Sequence, residues 1–386
     1  MPRKYGLALA LCGFLLLADW VVTDANAQET VTAGDSHVAT AMAAAHRPGH
    51  DFSGLFDQLC GERPPRRRMV TDGELVNDPD TRGRVSVSDA SPGEAWYQGI
   101  FGQNNTTLVF NGTPPLRAWY QEPVKVFDNL YYVGDNHFSM WAVTTSEGII
   151  LHDTAFEYMV EAQIIDGLRA FGLDPADIRY VIIGHGHSDH YGGARTLQDR
   201  YGARVIMAER DWELVENSNA PEEVKPRRDL VASDGMELTL GDTTLTLYVT
   251  PGHTPGTIST LFPLRDGESR HLGAVWGGTS FGFGHYADPL EVVSIYRAQA
   301  DRFRDIVLGA GADVHLSSHT NYDQTLEKLK ALRFRGPGDP HPFVSSDAVE
   351  RYQTVLIECA DATLEWLTEV ARRGLSLRHS AESGLR

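Results

Sequence analysis

Three histidines and an aspartate fall within six consecutive positions of GHGHSDHYGG, residues 184–193. Side chains this close along a chain meet at one point only where the backbone beneath them is fixed. The preceding RYVII (179–183) reads as a short buried strand, so the cluster sits on a tight loop just past a strand end. Gly184 and Gly186 permit the bends, and Gly192 and Gly193 let the next helix approach closely. Imidazole nitrogen and carboxylate oxygen are suitable ligands for zinc. His185, His187, Asp189 and His190 therefore either close around one ion or begin two.

Two later histidines occupy similar places. His253 lies in TPGHTPG (250–256), a turn between two expected strands, and His319 lies in SSHTN (317–321), just after the last strand. Each alone reads as a hydrogen-bonded loop histidine. Beside the first cluster they complete six protein ligands, which suit a pair of zinc ions with room for water or substrate. His137, His152, His271, His285 and His315 have no comparable context and are assigned to core, surface or supporting positions, with His152 and His285 the least settled.

The surrounding pattern is α/β. Residues 124–134 read as strand, turn and strand, and 140–153 as a hairpin turning at Glu147-Gly148. Helical spacing runs over 157–171 and stops at Gly172. Helices at 194–200, 208–215, 290–308 and 324–332 alternate with strands at 203–207, 236–240, 244–249, 257–262, 271–276 and 314–317. The tail, 346–372, is helical in spacing, with a break expected near Asp361. Hairpins followed by strand–helix alternation imply an αββα sandwich, in which two mixed sheets bury one face on each other and one on outer helices. The domain reading is a signal at 1–27, an N-terminal extension at 28–120, a catalytic domain at 121–335 and a C-terminal helical extension at 336–386 packed on the same domain. Within the N-terminal extension, 28–50 reads as a loose lead-in with at most a short helix. Residues 60–95 read as loops, and 99–115 as an arm across the body or a surface for pairing two chains.

Arg3 and Lys4, an apolar run to Leu17 and Ala25-Asn26-Ala27 form the three parts of a secretory signal. A retained anchor is the other reading, but the run is short for a bilayer. The expected location is periplasmic or secreted. Cys12 leaves with the signal. Cys60 and Cys359 then form one long-range disulfide or remain two buried thiols. A formal charge of -18, with no large basic patch, argues against nucleic acid as a partner. No Gly-x-Gly-x-x-Gly fingerprint or Walker loop occurs.

The form His-x-His-x-Asp-His resembles the metallo-β-lactamase superfamily. The resemblance runs from about Val124 to Leu332. It takes in the hairpin with Gly148 and Asp153, the strand before His185, the turn around His253, and His319. PGHTPG is similar to the middle ligand segment of the third subclass of metallo-β-lactamases. The resemblance implies a first zinc on His185, His187 and His253 and a second on Asp189, His190 and His319, hence two Zn2+ per chain. Lactone-cleaving and glyoxalase-two-like relatives carry a bridging aspartate after the strand that here reads HLGAVWGG. Gly277 and Gly278 stand there instead, as in the third subclass. Where typical members of that subclass place serines for a substrate carboxylate, this chain reads GGTSFGFGHYADP.

The implied chemistry is attack of a zinc-bound hydroxide on a carbonyl carbon, with catalytic Asp189 both ligating and orienting that hydroxide. Ser188 reads as a loop hydroxyl. Candidate substrate contacts are Tyr191, Trp212, Trp276, Thr279, Ser280, Phe281 and Phe283. Packing under a loop is the alternative for each of the aromatic residues. The leading function is an exported hydrolase of cyclic amides, with β-lactams first. A dizinc lactone or ester hydrolase acting on a small, partly apolar substrate is the alternative, and a zinc-holding assembly protein without catalysis is the third.

Overall fold

The computed structural model describes residues 33–61, 119–282, 285–286 and 288–372. The expected signal, most of the N-terminal extension and Phe283 lie outside the described residues. Seven strands form the first sheet in sequence order: β1 (Val124–Phe127), β2 (Leu130–Tyr132), β3 (Trp141–Thr145), β4 (Gly148–His152), β5 (Ile178–Ile182), β6 (Arg204–Ala208) and β7 (Leu230–Ala232). The pairs from β1 to β4 are antiparallel, and those from β4 to β7 are parallel. The second sheet runs β12-β11-β10-β9-β8. Its strands are β8 (Met236–Leu240), β9 (Thr243–Val249), β10 (Ile258–Asp266), β11 (Ser269–Val275) and β12 (Val314–Leu316). Only the β11–β12 pair in it is parallel.

Side-chain alternation sorts the strands into layers. Ile150, Ile182 and Ile206 face the second sheet, where they meet Leu245, Leu247, Ile258 and Phe262. Their neighbours Ile149, Leu151, Val181, Val205 and Met207 point the other way, toward helices. A strand buried on both faces has no polar side to show, hence the unbroken apolar run RYVII. The outer helices of the first sheet include α3 (Asp166–Ala170), α5 (Ala194–Tyr201) and α6 (Glu209–Glu216). Those of the second are α7 (Pro289–Gly309) and α9 (Ser346–Arg372). The αββα sandwich is therefore the observed architecture, with α8 (Thr325–Arg333) following β12.

Two local expectations change. The helix at 157–171 is three pieces: a 3-10 turn at Glu157–Met159, a π turn at Val160–Ile165, and α3. The π turn lets Gln163 face inward beside Ile164 and Ile165, and Gln163 Nε2 is satisfied by the carbonyls of Gly134 (2.8 Å) and Gln121 (3.0 Å). The tail helix α9 is unbroken at Asp361, which accepts from Arg297 Nε of α7 at 3.0 Å.

The N-terminal lead-in is more ordered than its composition suggests. Helix α1 (Ala33–Ala45) packs against α9, and its buried face is made of Ala41, Ala44 and Ala45, whose small side chains allow close approach. Arg351 of α9 donates to the carbonyls of Ala44 (2.8 Å) and His50 (3.0 Å). After α2 (Ser53–Phe56), Cys60 is bonded to Cys359 of α9, with a Cα–Cα distance of 5.2 Å across 299 positions. So long a loop makes the unfolded chain much less free when closed. Cys60→Ala should lower unfolding free energy by about 2–4 kcal/mol. The check is denaturant unfolding of wild type and variant, with and without reductant. Equal midpoints in the absence of reductant would refute it. No helix among the described residues is long and apolar enough to cross a membrane.

Candidate metal centre

Parallel pairing brings the C-terminal ends of β4, β5 and β6 side by side, the usual place for a site in such sheets. Asp153 follows β4. The GHGHSDH loop and α4 (Ser188–Tyr191) follow β5, and Asp211 lies in α6 after β6. The second sheet adds His253 from the β9–β10 turn and His319 from the loop after β12. That loop is pinned across the sandwich. Ser139 N–H donates to the Ser318 carbonyl (2.8 Å), Trp141 Nε1 donates to that of Ser317 (3.1 Å), and Phe138 pairs with His319 as an isolated bridge.

Two triads result. His253 Nε2 lies 3.1 Å from both His185 Nε2 and His187 Nδ1. Metal–nitrogen bonds of about 2.0–2.1 Å in a tetrahedron put ligand nitrogens about 3.3–3.4 Å apart, so this spacing fits one ion. Beside it, Asp189 Oδ2 lies 3.5 Å from His190 Nε2 and 3.8 Å from His319 Nε2. His190 Nε2 is buried and makes no hydrogen bond, as a nitrogen reserved for a metal would. Side-chain exposures of 14% for Asp189 and 22% for His319, against 1% for His190, open this triad to solvent on one side.

The opposite ring nitrogens are spoken for. His185 Nδ1 donates to the Gly277 carbonyl (2.7 Å), His253 Nδ1 to that of Ser280 (2.7 Å), and His190 Nδ1 to Asp153 Oδ2 (2.8 Å). For His185 and His253 the bond places the proton away from the triad and leaves Nε2 as the free lone pair, whereas for His190 it fixes a proton on Nδ1 so that Nε2 is the nitrogen that can give up its proton to a metal. Asp153 also accepts from Gly184 N–H (2.8 Å), and holds a left-handed φ of 62° that aspartate tolerates better than most residues.

Asp211 ties the two ligand loops together. Its carboxylate accepts from Gly186 N–H (2.7 Å), Gly256 N–H (2.8 Å) and Thr254 Oγ1 (2.6 Å). Burial pushes it up to about 6, despite these donors. Asp211→Ala would leave three buried donors without an acceptor, and should cost about 3–5 kcal/mol of stability. Chemical denaturation of the metal-free variant tests this, and a loss under about 1 kcal/mol would contradict it.

Charge separates the triads. Burial, reinforced by neighbouring imidazoles, holds His185 and His253 well below the usual histidine range. Burial likewise takes His187 down to about 3. All three are thus neutral, the form that binds metal. For His190, burial is outweighed by Asp153 and Asp189, which push it up to about 10. Burial also opposes ionisation of Asp189, but His190 prevails and its carboxyl lies below the ordinary range.

The expected substrate wall fares differently. Tyr191 and Trp212 lie in the core beneath the first sheet, and Trp276 in the core beneath the second. The indole N–H groups are satisfied there, Trp212 by the Leu230 carbonyl (2.9 Å) and Trp276 by Tyr296 Oη (3.1 Å). Of the three, Tyr191 lies nearest the site, where burial and the added charge of Asp189 raise its phenol. Thr279 is buried, with its carbonyl accepting from Tyr296 Oη at 2.8 Å. Phe281 packs edge-on against Tyr296. Ser280 turns its carbonyl to His253, with Oγ 3.1 Å from the same Nδ1, so it holds a ligand. Residues 278–282 spell Gly-x-Ser-x-Gly, but no helix follows within the segment, and this is not a strand-to-helix nucleophile elbow. Ser188 is buried. The rings that do flank the site are Phe138 and Tyr322, with centroids 5.2 Å and 5.1 Å from that of His319. Sequence reasoning singled out neither, it assigned no site role to Asp153 or Asp211, and it left His285 open among core, surface and supporting positions. The only local signal was an aspartate or histidine near a strand end.

Comparison with known proteins agrees with this geometry. Residues 134–266 match the family described as Metallo-beta-lactamase superfamily. The chain is 30% identical over 124 residues to the probable metallo-hydrolase YybB of Bacillus subtilis, covering 30% of this chain and 52% of that protein. It is 28% identical over 115 residues to a hydroxyacylglutathione hydrolase of Acidiphilium cryptum, covering 30% and 43%. It thus spans about half the length of the curated relatives it matches. Among solved structures, it is similar to BJP-1, a subclass B3 metallo-beta-lactamase of Bradyrhizobium japonicum. That match has a TM-score of 0.54 and 29% identity, over 66% of this chain and 97% of that one. A metallo-beta-lactamase of Cronobacter sakazakii gives 0.54 and 25%, over 68% and 99%. Residues 134–266, which carry the histidine loop and the His253 turn, thus match the metallo-beta-lactamase superfamily, and the fold is similar to that of subclass B3 enzymes.

Proposed function

We propose that this protein is an exported hydrolase that holds two zinc ions and opens a cyclic amide, β-lactams foremost. The observation that carries the reading is the convergence of His185 Nε2, His187 Nδ1 and His253 Nε2 beside the Asp189–His190–His319 triad. When bound, zinc supplies Lewis acidity and a water acidic enough to ionise near neutral pH. The chain's own residues do the rest. Asp189, held ionised, offers a carboxylate oxygen that accepts a hydrogen bond from the attacking water and aims it. Asp153 keeps His190 in its ligating orientation, and Phe138 and Tyr322 exclude water along one flank.

The segment after β11 favours the lactam reading over a bridged site. A side chain at Gly278 would overlap the His253 ring, and one at Gly277 would overlap the Ile258 carbonyl. A bridging aspartate at either place would displace a ligand or part the sheet edge. The Cys60–Cys359 bond supports export, since such bonds persist in oxidising compartments. The similarity to hydroxyacylglutathione hydrolases favours the second reading, a hydrolase of lactones or esters.

The test is turnover of a chromogenic cephalosporin by zinc-loaded protein, with metal-free protein as control and a lactone and an aryl ester in parallel. Metal-dependent cephalosporin turnover supports the lactam reading. Two bound zincs with turnover of the lactone or ester alone move the function to the second reading. Two bound zincs with no turnover of any substrate leave a metal-holding protein without catalysis.

A further inference from the structure

We propose that His285 is a positioning residue for the first metal, acting through the outer nitrogen of His187. The inference rests on the reading of His185, His187 and His253 as metal ligands. His187 differs from the other two ligands in its orientation. It turns Nδ1 toward the triad, so Nε2 points outward, and there it meets His285 Nε2 at 2.7 Å. The two rings are tilted by 32° with centroids 5.0 Å apart. A neutral imidazole carries one N–H. If Nδ1 of His187 gives its lone pair to a metal, the proton must stand on Nε2, and only an acceptor can face it. His285 Nε2 is that acceptor, which puts the His285 proton on Nδ1.

The same stretch of chain serves all three ligands. His185 donates to Gly277, His253 to Ser280 and His187 to His285. Its described residues, 277–282 and 285, are held by further contacts. Gly282 N–H donates to the Gly252 carbonyl (2.9 Å), His285 N–H donates to the Gly282 carbonyl (2.9 Å), and a side chain at Gly282 would overlap the His253 carbonyl. Two of the acceptors are backbone oxygens, which no side-chain substitution removes. The third is a side chain, and therefore a place where this chain's ligand geometry can be altered alone.

The experiment compares wild type with His285→Phe, His285→Ala and His285→Gln. Co2+ titration followed by visible absorption, chelator competition for Zn2+, and the melting temperature of metal-free protein are read for each. Phe keeps a ring but accepts nothing, whereas Gln Oε1 can still accept. The expected result is a loss of about 10–100-fold in first-site affinity for Phe and Ala, with most of it retained in Gln and metal-free melting unchanged. Wild-type affinity in Phe and Ala, or a Gln variant as weak as Ala, overturns the role of His285 while leaving the metal reading intact. So does a matching fall in metal-free melting temperature across all three variants, which assigns His285 to packing. A wild-type protein that binds no metal overturns both readings.

Discussion

Stripping the metal should reduce hydrolysis by a factor of about 10³ or more, and added zinc should restore it. Among the described residues around the site, neither serine nor cysteine is placed to act as a nucleophile. Ser188 is buried, Ser280 is engaged with His253, and the two cysteines among the described residues are bonded to each other far along the chain. Asp189 alone is too weak a base to activate free water at neutral pH, because it is held well into its ionised range. His253→Ala should reproduce the loss in the presence of zinc, since His253 Nε2 is the atom from which both other first-site nitrogens lie 3.1 Å away. Initial rates before and after chelation, and in the variant, measure this. A metal-free rate within tenfold of the loaded rate would sink the proposed chemistry.

The second large effect is expected at Asp153. Asp153→Asn keeps the shape and tolerates the left-handed backbone, and its amide oxygen can still accept from Gly184. Its amide nitrogen would then face His190 Nδ1 as a donor. His190 would have to move its proton to Nε2, the atom that the second metal needs. Affinity for the second ion should fall about 10–100-fold, with the first ion little affected. Metal content after dialysis and competition titration would show it, and two full equivalents held as tightly as in wild type would contradict it. Asp153→Ala should also cost stability, because Gly184 N–H and His190 Nδ1–H both lose their acceptor.

The same carboxylate gives the second site its pH dependence. With His190 pushed up to about 10, it is protonated at neutral pH in the metal-free protein, and an entering ion must displace one proton. Second-site affinity should therefore weaken about tenfold for each unit that pH falls between 8 and 6. His187, down near 3, and its two neutral neighbours release no proton, so first-site affinity should stay nearly level over that window. Calorimetric metal titrations at three pH values separate the two. Parallel slopes at both sites would overturn the assignment of charge.

The six side chains proposed as ligands could be picked out in the sequence because each lies near a strand end, where short-range pattern is informative. The architecture was legible because doubly buried strands must be continuously apolar and outer helices must show a stripe. The substrate wall was not. Trp212 and Trp276 sit next to the site in sequence but point into the core, where the Leu230 carbonyl and Tyr296 Oη satisfy their indole N–H groups, whereas Tyr322 stands beside His319. Nor were the groups that hold the ligands. Asp153 reaches His190 across 37 positions, His285 reaches His187 across 98, and Cys60 reaches Cys359 across 299. By itself the sequence determined which side chains have metal-binding chemistry and that two mixed sheets present them. Which proton sits on which nitrogen, which aromatic ring faces the site and what anchors the terminal helices were decided by tertiary structure. Those outcomes depend on direction and on contacts between distant segments, and periodicity carries neither.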